Sequence, residues 1–137
     1  MIINGGYSSD ETWTTDDGET YGALPPMPQG MHWHCAVALD GSDLFVTGMS
    51  RDISGIDIST TFLYHSDTMG WEQLPGLPSE PFRLTCGMVH NLAGEQEVIV
   101  VNGCQSPEIY NLVSGQWRTG QPSHVLTVKV HSLNSII

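Results

Sequence analysis

The residues best suited to chemistry stand at Met31-His32-Trp33-His34-Cys35, where two imidazoles and a thiol fall within four positions. Residues two apart face the same way on a strand, so His32 and His34 could begin a zinc or copper site, with Cys35 as a soft sulfur ligand. A third and fourth ligand would have to come from elsewhere, and His65, His90, His124 and His131 occupy unlike positions. The cluster reads as a loop-to-strand transition with incidental histidines, and no metal or cofactor is expected. Catalysis by Cys35, Cys86 or Cys104 would need a histidine base brought up in space, and no motif supplies one. Asp16-Asp17-Gly18-Glu19 lacks the alternating oxygen ligands of a calcium loop and reads as a hairpin turn. Gly5-Gly6, Gly48 and Gly103 end apolar runs without leading into a helix, so they do not make a phosphate cradle.

The elements that would position these residues follow from a repeat. The run Trp71-Glu72-Gln73-Leu74-Pro75-Gly76-Leu77-Pro78 has an earlier copy at Tyr21-Gly22-Ala23-Leu24-Pro25-Pro26-Met27-Pro28, an offset of 50. A degraded copy begins at Trp117, 46 residues further on. Small apolar runs at 34–39 and 85–90, and glycine-ended apolar runs at 1–6, 44–48 and 98–103, keep the same phase, which marks a stacked repeat. Strands are expected at 1–4, 11–15 and 19–24, then at 35–39, 44–47, 60–65 and a fourth at Trp71. The next unit repeats the order at 85–91, 98–101, 108–112 and Trp117. Val98 to Val101 is apolar without alternation, so both its faces should be covered. Glycine or proline interrupts nearly every helical window. The fold class is all-β, built of four-stranded antiparallel meanders. The units divide as 1–28 (partial), 29–78 and 79–122, with 123–137 either the first strand of a further unit or a C-terminal tail.

Composition narrows the partners. Of 137 residues, fifteen are acidic and four basic, a formal net charge of −11. That charge repels phosphate backbones and anionic headgroups, so nucleic acid and membrane are not expected as partners. No apolar run reaches the length of about 20 residues that a membrane-spanning helix needs. Cys35 and Cys86 hold equivalent repeat positions and read as free, buried apolar filler. An odd cysteine count, no glycosylation sequon and no signal peptide in the chain point to a reducing, cytoplasmic compartment.

The constellation resembles the kelch repeat. Gly5-Gly6 matches its glycine doublet after the second strand, degenerating to Gly48-Met49 and Gly103-Cys104. Tyr64 and Tyr110 match the third-strand tyrosine, and Trp71 and Trp117 the tryptophan that opens the fourth strand, with Tyr21 substituting in the first copy. A basic residue expected before the first strand survives as Arg83. The resemblance covers about residues 1–122 and implies β-propeller blades; since a propeller closes with roughly four to eight of them, it also implies a fragment of a longer propeller. It further implies a non-catalytic scaffold for protein partners. The alternative it leaves open is a metal-dependent enzyme akin to kelch-bladed copper oxidases, whose ligand set has no matching motif here.

Strand direction places the expected binding surface. In an antiparallel meander the second-to-third loop and the inter-unit loop share one rim, here at Tyr7 to Asp10, Met49 to Ser59, Gln105-Ser106, Gln29 to Trp33 and Ser79 to Arg83. The anchors expected on it are Arg51, Ile53, Ile56, His32, Trp33, Phe82 and Arg83, of types that often dominate interfaces. The phased tryptophans and tyrosines are expected in the core, not as a stacking surface for sugars.

Overall fold

The computed structural model describes residues 2–4, 12–14, 19 and 22–121. Among these, eleven strands form three antiparallel sheets without an α-helix. The first holds β1 (Ile2–Asn4), β2 (Thr12–Thr14) and β3 (Gly22–Leu24). The second holds β4 (Met31–Ala38), β5 (Leu44–Arg51), β6 (Asp57–His65) and β7 (Gly70–Leu74). The third holds β8 (Leu84–His90), β9 (Gln96–Asn102), β10 (Glu108–Asn111) and β11 (Gln116–Thr119). Strand order within each sheet is sequence order, so every sheet is a simple meander. Gly5, Gly6, Tyr21, the acidic turn at 16–18, the Tyr7 to Asp10 loop and the 123–137 segment lie outside the described residues.

The sheets stack face to face. Alternate residues of β5 point to opposite neighbours: Leu44 and Val46 join Met27, Met31, Phe62 and Tyr64 in one apolar cluster, while Phe45 joins Leu63, Leu77, Val98, Val100 and Tyr110 in another. Both faces of β5 are therefore covered, and Leu44 through Ser50 are all buried. β9 behaves alike, with Val98 and Val100 turned to the second sheet and Ile99 and Val101 packed with Ile109 on its other face. An apolar run without alternation belongs in such a doubly covered strand.

The aromatic repeat positions carry the contact between consecutive units. Tyr64 and Trp71 are directly paired across β6 and β7, and Tyr110 and Trp117 across β10 and β11, each with ring centroids 5.1 Å apart. Trp117 also reaches Phe45 of the preceding sheet at 6.2 Å. Both tryptophans are partly buried against the apolar clusters, each on the outermost strand of its sheet.

Three local expectations change. β5 does not stop at Gly48; it pairs with β6 through Arg51↔Asp57, so the expected loop from Met49 to Ser59 shrinks to 52–56. β4 begins at Met31, which takes Met31, His32 and Trp33 out of the loop and into the sheet. Cys35 and Cys86 are not free thiols: the first strands of consecutive sheets run side by side, bring their Cα atoms to 6.1 Å, and the two sulfurs are joined as a disulfide.

Candidate functional site

The rim that carries the 52–56 turn and the inter-unit loops is built by three local devices. The first is a bulge in β4. His32 pairs with Met49 and Cys35 with Thr47, so Trp33 and His34 together oppose the single residue Gly48. The extra residue forces Trp33 to φ 49°, an uncommon conformation for a bulky side chain. Gly48 is required opposite it, since a Cβ there would lie 2.5 Å from the His34 Cβ. The bulge turns the Trp33 indole outward, 52% exposed, and leaves His32 inside at 3%. His32 meets the Trp33 ring edge-on at 5.2 Å, and its Nε2 is 3.8 Å from Asp57 Oδ1.

The second device is the Asp52 turn. Asp52 Oδ1 accepts hydrogen bonds from the Ser54 N–H (2.9 Å), the Ser54 hydroxyl (2.6 Å) and the Ile56 N–H (2.9 Å). The Ser54 hydroxyl, followed by the backbone donors, holds the Asp52 carboxyl below its ordinary pKa. A side chain closing its own loop in this way lets two strands pair to their ends. It also leaves Ile53 fully exposed and Ile56 largely so. Beside the turn, Arg51 Nε donates to Asp57 Oδ1 at 3.1 Å.

The third device is Asn102, buried at the end of β9. Its Oδ1 accepts from the Phe82 N–H at 3.1 Å, and its Nδ2 donates to Ser79 Oγ at 2.9 Å and to the Glu80 carbonyl at 2.8 Å. Ser79 in turn donates through its N–H and hydroxyl to the Glu108 carboxylate. The inter-unit loop is thus tied down from beneath, and it presents Phe82 at 64% exposure with the Arg83 guanidinium 5.5 Å from the ring centroid. Gly103 closes β9 at φ 61° and donates its N–H to the Arg83 carbonyl at 2.8 Å.

Strand pairing therefore brings Trp33, Arg51, Ile53, Ile56, Phe82 and Arg83 to one rim, and Ile58 at the start of β6 joins them. His32 does not join them; it is buried by the bulge that frees its neighbour. Asp52 and Asn102 were missed in the sequence, although a polar residue at the end of an apolar run is the signal for a side chain that binds the following loop. The opposite rim exposes Met69, Leu92 and Val113 singly on its short turns. Among the described residues, no group of three or more histidine, cysteine or acidic side chains is placed to hold a metal ion. His65 pairs with Glu72 and His90 with Asp40, each at 2.7 Å, and Cys104 is an exposed thiol.

The architecture is all-β, two complete antiparallel four-stranded sheets with a three-stranded sheet before them. No protein-family model matches the chain. It is 30% identical over 100 residues to Adagio protein 3 of Arabidopsis thaliana, a match covering 72% of this chain and 15% of that protein. Adagio-like protein 3 of Oryza sativa subsp. japonica is 32% identical over 117 residues, covering 72% of this chain and 18% of the relative. Adagio-like protein 1 of the same plant is 32% identical over 87 residues, covering 62% and 13%. The chain spans less than a fifth of the length of the curated relatives it matches.

Proposed function

We propose that the two complete sheets are kelch-type blades of a β-propeller and that the chain is the non-catalytic, partner-recognising part of a larger protein. Support for the blades comes from the four-stranded meanders, their face-to-face stacking and the Tyr–Trp pair repeated in phase in both sheets. The observation that carries the recognition role is Trp33. A strained backbone holds its large ring out in water on the same rim as Arg51, Ile53, Phe82 and Arg83. Aromatic and arginine side chains on a rigid rim are the types that anchor protein interfaces.

The test is site-specific photocrosslinking in cells, with a photoreactive residue at Ile53 or Phe82 on this rim and at Leu92 or Val113 on the other. The expected outcome is a defined protein adduct from the first pair alone. Trp33→Ala and Arg83→Ala should abolish it while leaving the melting temperature within about 3 °C, as for exposed sites. Adducts from both rims, or from neither, would defeat the proposal.

A further inference from the structure

The contact between β4 and β8 is fastened at both ends by unlike means. Away from the rim, the Asp40 N–H donates to Gln96 Oε1 at 2.8 Å and the Asp40 carboxylate meets His90 Nε2 at 2.7 Å. Toward the rim the tie is covalent, between Cys35 and Cys86. Cys35 lies two residues from Trp33, and Cys86 three from Arg83. Phe45 and Leu63 of the second sheet also pack with Val98, Val100 and Tyr110 of the third, and Cys35 and Cys86 border that cluster. The sheets therefore have an apolar interface that does not depend on the disulfide. Both cysteines are half-buried, on the first strands of the two sheets.

We propose that Cys35 and Cys86 form a reversible thiol–disulfide latch, oxidised by a small-molecule disulfide of the glutathione type, that sets the spacing of β4 and β8 at the rim. In the oxidising direction one cysteine thiolate attacks a sulfur of the small disulfide, forming a mixed disulfide and expelling one thiolate. The second cysteine thiolate then attacks the protein sulfur of that mixed disulfide and expels the other. The two protein thiols lose two protons and two electrons, and the small disulfide becomes two thiols. In the reduced form the Asp40 end and the apolar cluster hold, while the rim ends of the strands part. Any effect on partner binding rests on the rim reading above; the latch itself does not.

The test uses the full chain with Cys104→Ser, so that only this pair titrates, equilibrated across glutathione redox buffers. Alkylation and intact mass give the fraction oxidised, and hydrogen exchange gives the local opening. Complete, reversible conversion is expected, with exchange in the reduced form faster by about tenfold in 31–36 and 82–87 and unchanged in 44–47 and 98–101. The Cys35→Ser, Cys86→Ser double variant should show the reduced pattern without any redox reagent. A pair that stays reduced in excess glutathione disulfide, resists reduction short of unfolding, or changes exchange everywhere or nowhere would overturn the latch. If the pattern holds but photocrosslinking from Ile53 and Phe82 fails, the latch stands and the recognition reading falls.

Discussion

The Trp117 indole Nε1 donates a 2.8 Å hydrogen bond to the Pro75 carbonyl, and Trp71 makes the same bond to Pro25 at 2.9 Å one unit earlier. Each tryptophan on an outermost strand thus satisfies its one polar atom on the proline loop that ends the preceding unit. That explains why aromatic and proline positions recur together: proline ends the strand and fixes the loop whose carbonyl the next tryptophan needs.

The contribution of this contact divides into ring packing and hydrogen bond. Trp117→Phe keeps most of the ring against Phe45 and Tyr110 but loses the donor, and should destabilise by about 1 kcal/mol. Trp117→Ala removes both and should cost about 3 kcal/mol, the lower end for a core aromatic because the ring is half-buried. Chemical denaturation of the two variants checks the split. Equal losses would mean that the ring packing adds nothing, and an unchanged Trp117→Phe would mean the same of the hydrogen bond.

How much of this was legible beforehand depends on where the information lay. Strand order could be read because glycine, proline and Asp-Gly turns punctuate apolar runs, and the doubly covered Val98 to Val101 strand because its pattern does not alternate. The extent of β5 and β6 could not, since it depends on one Asp52 oxygen accepting three hydrogen bonds within its own turn. His32 was expected on the rim with Trp33, but a one-residue bulge sends the two side chains to opposite environments. Cys35 and Cys86 were seen at equivalent positions; what was missed is that equivalent positions of consecutive first strands become neighbours in space.

Acid sensitivity should centre on Glu97. Its side chain is 4% exposed on β9, and the Arg118 guanidinium of β11 meets both of its carboxylate oxygens while Asn111 Nδ2 donates at 2.9 Å. Chiefly through Arg118, with Asn111 assisting, its pKa falls from 4.5 to about 2 against the opposing effect of burial. A depressed carboxylate stabilises the fold above its unfolded pKa, and that stabilisation is lost as pH falls through the folded value. The window therefore runs from about 4.5 down to 2. Arg118 is half-exposed and screened, so the loss should be about 2 kcal/mol or less. Denaturant midpoints measured from pH 6 to pH 2.5 should decline less in Glu97→Gln, which starts lower, than in the parent chain. Parallel curves would place the acid sensitivity elsewhere.

Asn102 should matter to the rim more than any residue exposed on it. Its amide uses both ends at once, accepting from the Phe82 N–H and donating to Ser79 and Glu80. Asn102→Ala leaves the Phe82 N–H, the Glu80 carbonyl and a Ser79 lone pair without these partners, at a cost of about 2 kcal/mol. Asn102→Asp keeps the acceptor but loses both donations, and at neutral pH it sets a second carboxylate beside the Ser79 hydroxyl that already serves Glu108. Asn102→Asp should therefore be at least as destabilising as Asn102→Ala at pH 7 and recover as acid protonates the new carboxyl and restores a donor. Amide exchange at Phe82 should rise in both variants, while that at Val98 to Val101 tracks global stability alone. If Phe82 exchange matched the parent in Asn102→Ala, the loop would be held by Glu108 and Ser79 without Asn102.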